Sequence, residues 1–209
     1  MLNKQGFDLW ANDYDQTVQV NAENDLYPFA GYKTILNTIF NEVMQKKKST
    51  VLDIGFGTGI LTTKLYEHGH RLDGVDFSTQ MIAIAQAKMP NAQLIEWDFT
   101  NDLPSNVHSK KYDSIVSTYA LHHLTDREKI SFIQYLLPFL SETGKIFIGD
   151  IAFLTRDDLD LCREKNISYW DDDEFYFAFN ELYSALKDVC LCEFHPISHC
   201  GAVIIISNK

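Results

Sequence analysis

The chain of 209 residues is short of basic side chains: it has 18 Lys and Arg against 29 Asp and Glu, giving a net charge of −11. Proteins that bind nucleic acid or acidic membranes take much of their affinity from Lys and Arg, which displace counterions. We therefore expect no nucleic-acid partner and no membrane partner. The most evident basic cluster, Lys46-Lys47-Lys48, is interpreted as a solvated helix end.

Long apolar runs are missing as well. The longest, residues 202–206, has the length of a strand, whereas a membrane-spanning helix needs about 20 apolar residues. No basic segment followed by an apolar stretch lies near Met1, so we expect no signal peptide and a cytoplasmic location. Cysteine is scarce too, and 4 cysteines without a secretory signal do not suggest a disulfide framework.

Soft metal ligands are concentrated in the tail, at Cys190, Cys192, His195, His199 and Cys200. On a strand, Cys190 and Cys192 face one side and His195 faces the other. The C-x-C spacing also differs from the C-x₂₋₄-C of common zinc sites. We predict buried cysteines in a hairpin and no metal site.

Short apolar strands alternate with helical segments from residue 49 onward. The predicted strands cover residues 51–54, 72–75, 92–97, 112–118, 144–151, 189–194 and 202–207. Helical crossovers are typical of parallel strands, whereas the short loop before the last strand indicates an antiparallel hairpin. We predict a single α/β domain over residues 1–209: a three-layer α/β/α Rossmann-like fold with a mostly parallel seven-stranded sheet. Residues 1–48 are predicted to form a helical N-terminal extension or lid, and residues 49–209 the core.

Local patterns indicate where several helices begin. Ser78 is predicted to cap a helix over residues 79–89, and Thr125 and Glu128 have capping-box spacing. The acids at residues 171–174 are interpreted as the start of a further helix, where they would compensate its dipole. That helix is predicted from apolar residues at helical spacing: Phe175, Phe179, Leu182 and Leu186.

A glycine-rich stretch follows the first strand at the point where a helix begins. Asp53 precedes Gly55, Gly57 and Gly59, which gives G-x-G-x-G rather than the G-x-G-x-x-G of dinucleotide-binding proteins. A carboxylate at this position would repel a pyrophosphate and attract an ammonium or sulfonium group. A purely structural tight turn is the alternative.

Two more acids end the second and third strands, at the same edge of the sheet. Asp76 can accept hydrogen bonds from both hydroxyls of a ribose. Asp98 can accept one from the exocyclic amine of adenine while Phe99 packs on the ring. The alternatives are a helix N-terminal acid for Asp76 and a turn-forming acid for Asp98.

Together these elements resemble the class I S-adenosylmethionine-dependent methyltransferases over residues 51–209. Segments 10–19 and 116–129 narrow the resemblance to the YrrT-like group of uncharacterised bacterial methyltransferases. The resemblance implies S-adenosyl-L-methionine as the cofactor, with Gly55, Asp76 and Asp98 among its contacts. The predicted cofactor-binding residues are Asp53, Gly55, Gly57, Gly59, Asp76, Phe77, Met81, Asp98, Phe99, Ser117 and Tyr14.

The residues after the fourth strand bear on the methyl acceptor. They read Ser-Thr-Tyr-Ala at 117–120, not the Asn/Asp-Pro-Pro-Tyr/Phe of amino-methylating DNA enzymes, and no Pro-Cys nucleophile is present. We expect a small-molecule acceptor and direct in-line displacement. His122 is the candidate catalytic base. In the alternative interpretation, His123 packs and hydrogen-bonds beneath the site and His122 is an ordinary loop residue.

The first thirty residues contain Trp10, Tyr14, Tyr27 and Phe29, which are predicted to form a lid over the carboxyl edge of the sheet. The alternative is a helix packed on the back of the sheet. Two rival functions stay open: a nicotinamide-dependent oxidoreductase, and a non-catalytic module that binds S-adenosylmethionine or docks a partner.

Overall fold

Strands and helices alternate along the computed structural model, which describes residues 26–100 and 102–209. The helices are α1 Tyr32–Met44, α2 Ile60–Glu67, α3 Thr79–Lys88, α4 Ser105–His108, α5 Asp126–Leu136, α6 Arg156–Lys165 and α7 Phe179–Leu186. The strands are β1 Thr50–Ile54, β2 Arg71–Asp76, β3 Gln93–Glu96, β4 Tyr112–Thr118, β5 Leu140–Phe153, β6 Phe177–Ala178, β7 Cys190–Pro196 and β8 Gly201–Asn208. None of the helices in this part of the chain is long and apolar enough to cross a membrane.

The strands form one sheet in the order β3-β2-β1-β4-β5-β8-β7, and the two-residue β6 lies beside β5. The pairs from β3 to β5 are parallel. Strand β8 is antiparallel to both of its neighbours, β5 and β7. The predicted fold class is therefore confirmed, including the closing hairpin.

The central strands point alternate side chains into two hydrophobic cores, one on each face of the sheet. Leu52 and Ile54 of β1 belong to one core, which α5 and α7 cover. Val51 belongs to the other, which α1, α2, α3 and α6 cover. Because the sheet is buried on both faces, its strands are nearly continuous apolar runs, as parallel sheets require.

Helix α1 packs on the sheet and also reaches its carboxyl edge. Ile35 and Ile39 fill the space over Gly149, where an added Cβ would lie 2.4 Å from Ile35 Cγ2. Tyr32 and Leu36, in the first turns, line the cleft at that edge. Residues of α1 thus serve both the core and the cleft.

Two of the four aromatic residues predicted to form a lid, Trp10 and Tyr14, lie outside the described residues. The Tyr27 ring stacks on Trp170 with 5.4 Å between centroids. The Tyr27 hydroxyl donates a 2.7 Å hydrogen bond to the Tyr176 hydroxyl. The chain just before α1 is therefore attached to the segment between α6 and β6, and the lid itself stays a prediction.

The helix predicted from Phe175 is wrong in its first turn, because α7 begins only at Phe179. Phe177–Ala178 forms β6 instead and pairs with the end of β5. The acids at residues 171–174 consequently lie in a loop and not at a helix start. Here the backbone pairing offered by β5 outweighs a local helical pattern, as tertiary contacts commonly do.

The predicted helix caps are confirmed. Ser78 Oγ accepts a 3.2 Å hydrogen bond from the Met81 amide at the start of α3. Thr125 and Glu128 form the reciprocal capping box of α5, in which each side chain accepts from the other residue's amide. Both caps follow strands that end at the carboxyl edge, so they fix the direction in which the chain leaves that edge.

Candidate active site

A cleft of about 710 Å³, counted out to its solvent-filled mouth, lies at the carboxyl ends of β1, β2 and β4. This is the edge where open α/β sheets bind ligands. Predicted cofactor residues that line it are Asp53, Gly55, Gly57, Asp76, Phe77, Met81 and Phe99.

The chain turns sharply where β1 ends, and two glycines make the turn possible. Gly55 has a φ of 70°, and an added Cβ would lie 2.4 Å from the Cβ of Ala120. Gly57 has a φ of 57°, and its amide donates a 2.8 Å hydrogen bond to Asp76 Oδ2. Side chains at both positions would be strained, since L-residues rarely adopt this backbone conformation. Bare backbone therefore lines this part of the cleft.

Asp76 joins the end of β2 to the glycine loop. Its buried carboxylate accepts hydrogen bonds from the Gly57 amide and, through Oδ1 at 2.9 Å, from the Ser78 amide. A carboxylate offers about four acceptor sites, so one carboxylate can hold a loop and bind ribose hydroxyls together. The position supports both interpretations drawn from the sequence, the helix N-terminal acid and the ribose ligand.

The Asp53 carboxyl is buried, and only one of its two oxygens is hydrogen-bonded among the described residues. Thr62 donates a hydrogen bond to Oδ2, and Oδ1 has no hydrogen-bond partner among the described residues. Burial raises the pKa of Asp53 to about 7, against the lowering effect of Thr62 and with a further increase from Asp76. An unpartnered buried carboxylate is costly. A cationic ligand in the cleft would relieve that cost, so Asp53 fits the sulfonium and ammonium groups of S-adenosylmethionine.

Four predicted site residues do not line the cleft, and Tyr14 lies outside the described residues; the four are Gly59, Asp98, Ser117 and His122. Asp98 is exposed, and its Oδ1 accepts hydrogen bonds from the Thr100 amide and hydroxyl, as a turn-forming acid does. Ser117 is buried and donates to the Ile54 carbonyl. Cofactor contact by Gly59, Asp98 and Ser117 stays a prediction, and so does the role of His122 as a catalytic base.

The two adjacent histidines are placed in the reverse of the alternative interpretation. His122 is the buried one, with Nδ1 2.7 Å from Asp150 Oδ1, whereas His123 lines the cleft. Burial lowers the pKa of His123 to about 3, and the neighbouring His122 lowers it further. Burial also acts to lower the pKa of His122, but the Asp150 and Glu174 carboxylates outweigh it and raise that pKa.

Comparison with known proteins decides the family. Residues 51–144 match the model of a methyltransferase domain. An uncharacterized methyltransferase of Geobacillus sp. (strain WCH70) is 37% identical over 190 residues, which cover 87% of this chain and 86% of the relative. Another uncharacterized methyltransferase, from Alkaliphilus oremlandii, is 40% identical over 149 residues, which cover 71% of this chain and 67% of the relative. The chain belongs to this methyltransferase family. It is an S-adenosylmethionine-dependent enzyme, as the family is, and not the oxidoreductase weighed above.

Solved structures support the fold of this methyltransferase. A DhpI–SAH complex aligns with a TM-score of 0.73 at 15% identity, covering 99% of this chain and 95% of the other. The magnesium protoporphyrin IX methyltransferase ChlM from Synechocystis PCC 6803, with SAH bound, aligns with a TM-score of 0.66 at 16% identity, covering 86% and 84%. At such identities the likeness concerns the fold alone.

Sequence reasoning missed several residues that line the methyltransferase's cleft. They include Tyr32, Phe56 and Thr58. Tyr119 and Ala120, which the sequence analysis related to the acceptor because they follow the fourth strand, line the cleft as well. Tyr119 also has a φ of 51°, unusual for a bulky residue, which turns the chain at the cleft. Nothing local marks Tyr32, because its helix reaches the cleft only through tertiary packing.

Proposed function

We propose that this methyltransferase transfers a methyl group from S-adenosylmethionine to a small-molecule acceptor. The observation that carries the proposal is the composition of the cleft. One part, here called the cofactor half, consists of Asp53, Gly55, Gly57 and Asp76. The rest, the acceptor half, is walled by Tyr32, Tyr119, Ala120 and His123. Aromatic walls with few polar groups suit a small, partly apolar molecule.

Charge and size support the same acceptor class. The net charge of −11 disfavours an anionic polymer as substrate. The cleft that would hold the acceptor also has to hold the cofactor, which limits the space left for a large substrate. ChlM, a neighbour in fold, is named for a tetrapyrrole substrate, which agrees with a small acceptor without identifying one.

The chain's own residues have defined tasks in such a reaction. When bound, S-adenosylmethionine would supply a methyl group on a sulfonium sulfur: an acceptor lone pair would attack the methyl carbon in line while the carbon–sulfur bond breaks and S-adenosylhomocysteine leaves. Asp53 offers a buried counter-charge to the cationic cofactor, and Asp76 and the glycine loop fix its position. His123 is neutral at pH 7 because its pKa is low, so it presents an uncharged imidazole to the acceptor half. Catalysis then rests mainly on proximity and alignment.

Labelled cofactor tests the acceptor class directly. Purified protein is incubated with methyl-labelled S-adenosylmethionine and a cell extract separated by dialysis into metabolite and macromolecule fractions. We expect enzyme-dependent label in the metabolite fraction. Label that enters only the nucleic acid or protein of the macromolecule fraction would contradict the proposal.

Two tyrosine variants sharpen the test. Tyr32→Ala removes a wall of the acceptor half, so we expect a higher KM for the acceptor with S-adenosylhomocysteine affinity within about twofold of the parent. Tyr183→Ala, at an exposed position of α7, is the matched control and leaves both unchanged. An unchanged acceptor KM in Tyr32→Ala would remove Tyr32 from the acceptor half.

A further inference from the structure

Three side chains that commonly bind metals meet beside the cleft, and one of them, His123, lines it. Their ligand atoms, from His122, His123 and Glu174, all lie within 4.8 Å of one another. His122 Nε2 is 3.6 Å from Glu174 Oε1, too far for a good hydrogen bond. Two atoms that each bind one Zn²⁺ at about 2.1 Å in tetrahedral geometry are about 3.4 Å apart. The separation therefore matches two ligands of one metal better than a hydrogen-bonded pair.

The orientation of His122 is set by a buried acid behind it. Its Nδ1 lies 2.7 Å from Asp150 Oδ1, and Asp150 is itself held by the Ile151 amide. An Nδ1–H that donates to Asp150 leaves the lone pair on Nε2, on the side of Glu174. Metal-binding histidines almost always have such a carboxylate or carbonyl partner on the other ring nitrogen.

Glu174 is brought to the histidines by the loop before β6. The Tyr176 hydroxyl donates a 2.7 Å hydrogen bond to Glu174 Oε2, which leaves Oε1 on the side of His122. The Phe175 amide donates a 2.7 Å hydrogen bond to the His122 carbonyl. These bonds hold the loop and the turn that carries both histidines in one arrangement, so the cluster is organised without an ion.

The charges of the cluster suit a divalent cation. Two neutral imidazoles and the Glu174 carboxylate leave one positive charge on such an ion, and the Asp150 carboxylate balances it. The nearest buried ammonium, Lys129 Nζ, is paired with Asp126 and the Phe175 carbonyl. The competing occupant is a proton on His122 between the Asp150 and Glu174 carboxylates.

We propose that His122, His123 and Glu174 bind one divalent transition-metal ion of the Zn²⁺ type. Three protein ligands leave a fourth position open, as in catalytic zinc sites. His123 lines the cleft, so that position faces the acceptor half and suits an acceptor hydroxyl or thiol, whose proton a metal acidifies. The prediction of no metal weighed the ligands of the tail and the acids at residues 171–174, but not these acids together with the histidines after β4. Metal binding itself can be tested apart from the small-molecule proposal, whereas the use of the open position by an acceptor rests on that proposal.

Metal titration of the full chain tests the site. Protein stripped with a chelator is titrated with Zn²⁺ by calorimetry and with Co²⁺ by visible absorption. We expect saturation at one ion per chain and Co²⁺ bands of nitrogen and oxygen ligation without a thiolate charge-transfer band. His123→Gln and Glu174→Gln should each weaken Zn²⁺ binding by about tenfold or more, and Asp150→Asn by about 10- to 100-fold. The first two positions are only partly buried, so these variants are expected to fold.

The tail provides matched controls. His195 Nε2 lies 3.5 Å from Glu193 Oε2, almost the same separation, but both of these side chains are exposed. His195→Gln should leave Zn²⁺ affinity unchanged, and so should Cys192→Ser. Absence of saturable binding, equal affinity in folded His123→Gln and Glu174→Gln proteins, or a Co²⁺–thiolate band lost in Cys192→Ser would each overturn the proposal.

Discussion

The cofactor half and the acceptor half of the cleft differ in the chemical groups that line them. In the cofactor half, backbone amides and carboxylates bond to one another, and glycine is required where the chain turns. In the proposed acceptor half, the rings of Tyr32, Tyr119 and His123 line the cleft. A substitution in the cofactor half removes or blocks a contact that no neighbour replaces. A substitution in the acceptor half changes a shape, so we expect cofactor affinity to depend on the first half and acceptor choice on the second.

Gly55→Ala should have the largest effect. Its Cβ would lie 2.4 Å from the Ala120 Cβ, on a backbone with φ of 70°. We expect S-adenosylhomocysteine binding, measured by calorimetry, to weaken more than about 100-fold, a cost of about 3 kcal/mol. Gly69→Ala is the control, because Gly69 has a φ of 84° and open space around it. It should cost about 1 kcal/mol of stability and no affinity. Equal affinities in the two variants would refute the close-contact argument.

Asp76→Ala should come next. It removes the acceptor of the Gly57 and Ser78 amides as well as the predicted ribose contact. We expect the Kd for S-adenosylhomocysteine to rise about 10- to 100-fold, in line with the loss of about 1.5–3 kcal/mol of hydrogen bonding. Unchanged affinity in the folded variant would show that Asp76 is not a ribose ligand.

Asp53 makes cofactor affinity depend on pH. Its pKa of about 7 in the cofactor-free protein should fall when a cation binds, so binding releases a proton and strengthens as pH rises through 7. Asp53→Asn should bind about tenfold more weakly at pH 8 and equally at pH 5, where the wild-type carboxyl is already protonated. Calorimetry in buffers of different ionisation enthalpy measures the proton. Uptake of a proton when the cofactor binds would contradict this role of Asp53. So would the same pH dependence of cofactor affinity in Asp53→Asn and the wild type.

The raised pKa of Asp53 also predicts how the stability of the folded protein depends on pH. Because the folded pKa lies above the ordinary value, the folded protein binds the proton more tightly than the unfolded chain does. The proton's contribution to the free energy of unfolding is fully present below pH 4 and is lost as pH rises toward 7. The slope of this loss is up to about 1.4 kcal/mol per pH unit. Asp53→Asn should abolish this component of the slope in denaturant titrations of cofactor-free protein.

Asp98→Ala should have the smallest effect. The carboxylate is exposed and already accepts two hydrogen bonds from Thr100, so the predicted adenine contact is solvated. We expect S-adenosylhomocysteine affinity to fall about threefold, less than 1 kcal/mol. A loss as large as that of Asp76→Ala would mean that Asp98 is reoriented when the cofactor binds.

The cofactor half could be predicted from the sequence because each of its parts is local. Asp53 and Asp76 lie at the ends of strands that periodicity identifies, the glycine loop follows the first of them, and parallel topology brings those strand ends to one edge. The same strand order places Phe99 and Met81 in the lining of the cleft. The capping residues Ser78 and Thr125 are local signals as well, and the structure confirms both.

The acceptor half could not be predicted in the same way, because it depends on contacts between distant segments. Which of two adjacent histidines faces the cleft is decided by the short turn after β4 and the left-handed Tyr119 before it. Glu174 belongs to an acidic run that looked like a helix start. Glu174 lies beside His122 because β6 pairs with β5, and no local sequence pattern predicts that pairing.

The position of β8 has a consequence during synthesis on the ribosome. This strand lies between β5 and β7 but is translated after both. In the described part of the chain, β7 joins the sheet only through β8, so much of the β5 edge stays uncovered until residues 201–208 emerge. An uncovered strand edge is a template for pairing with another chain. Slow or faulty translation of this last strand therefore exposes the nascent protein to aggregation, even when every residue of the cleft is intact.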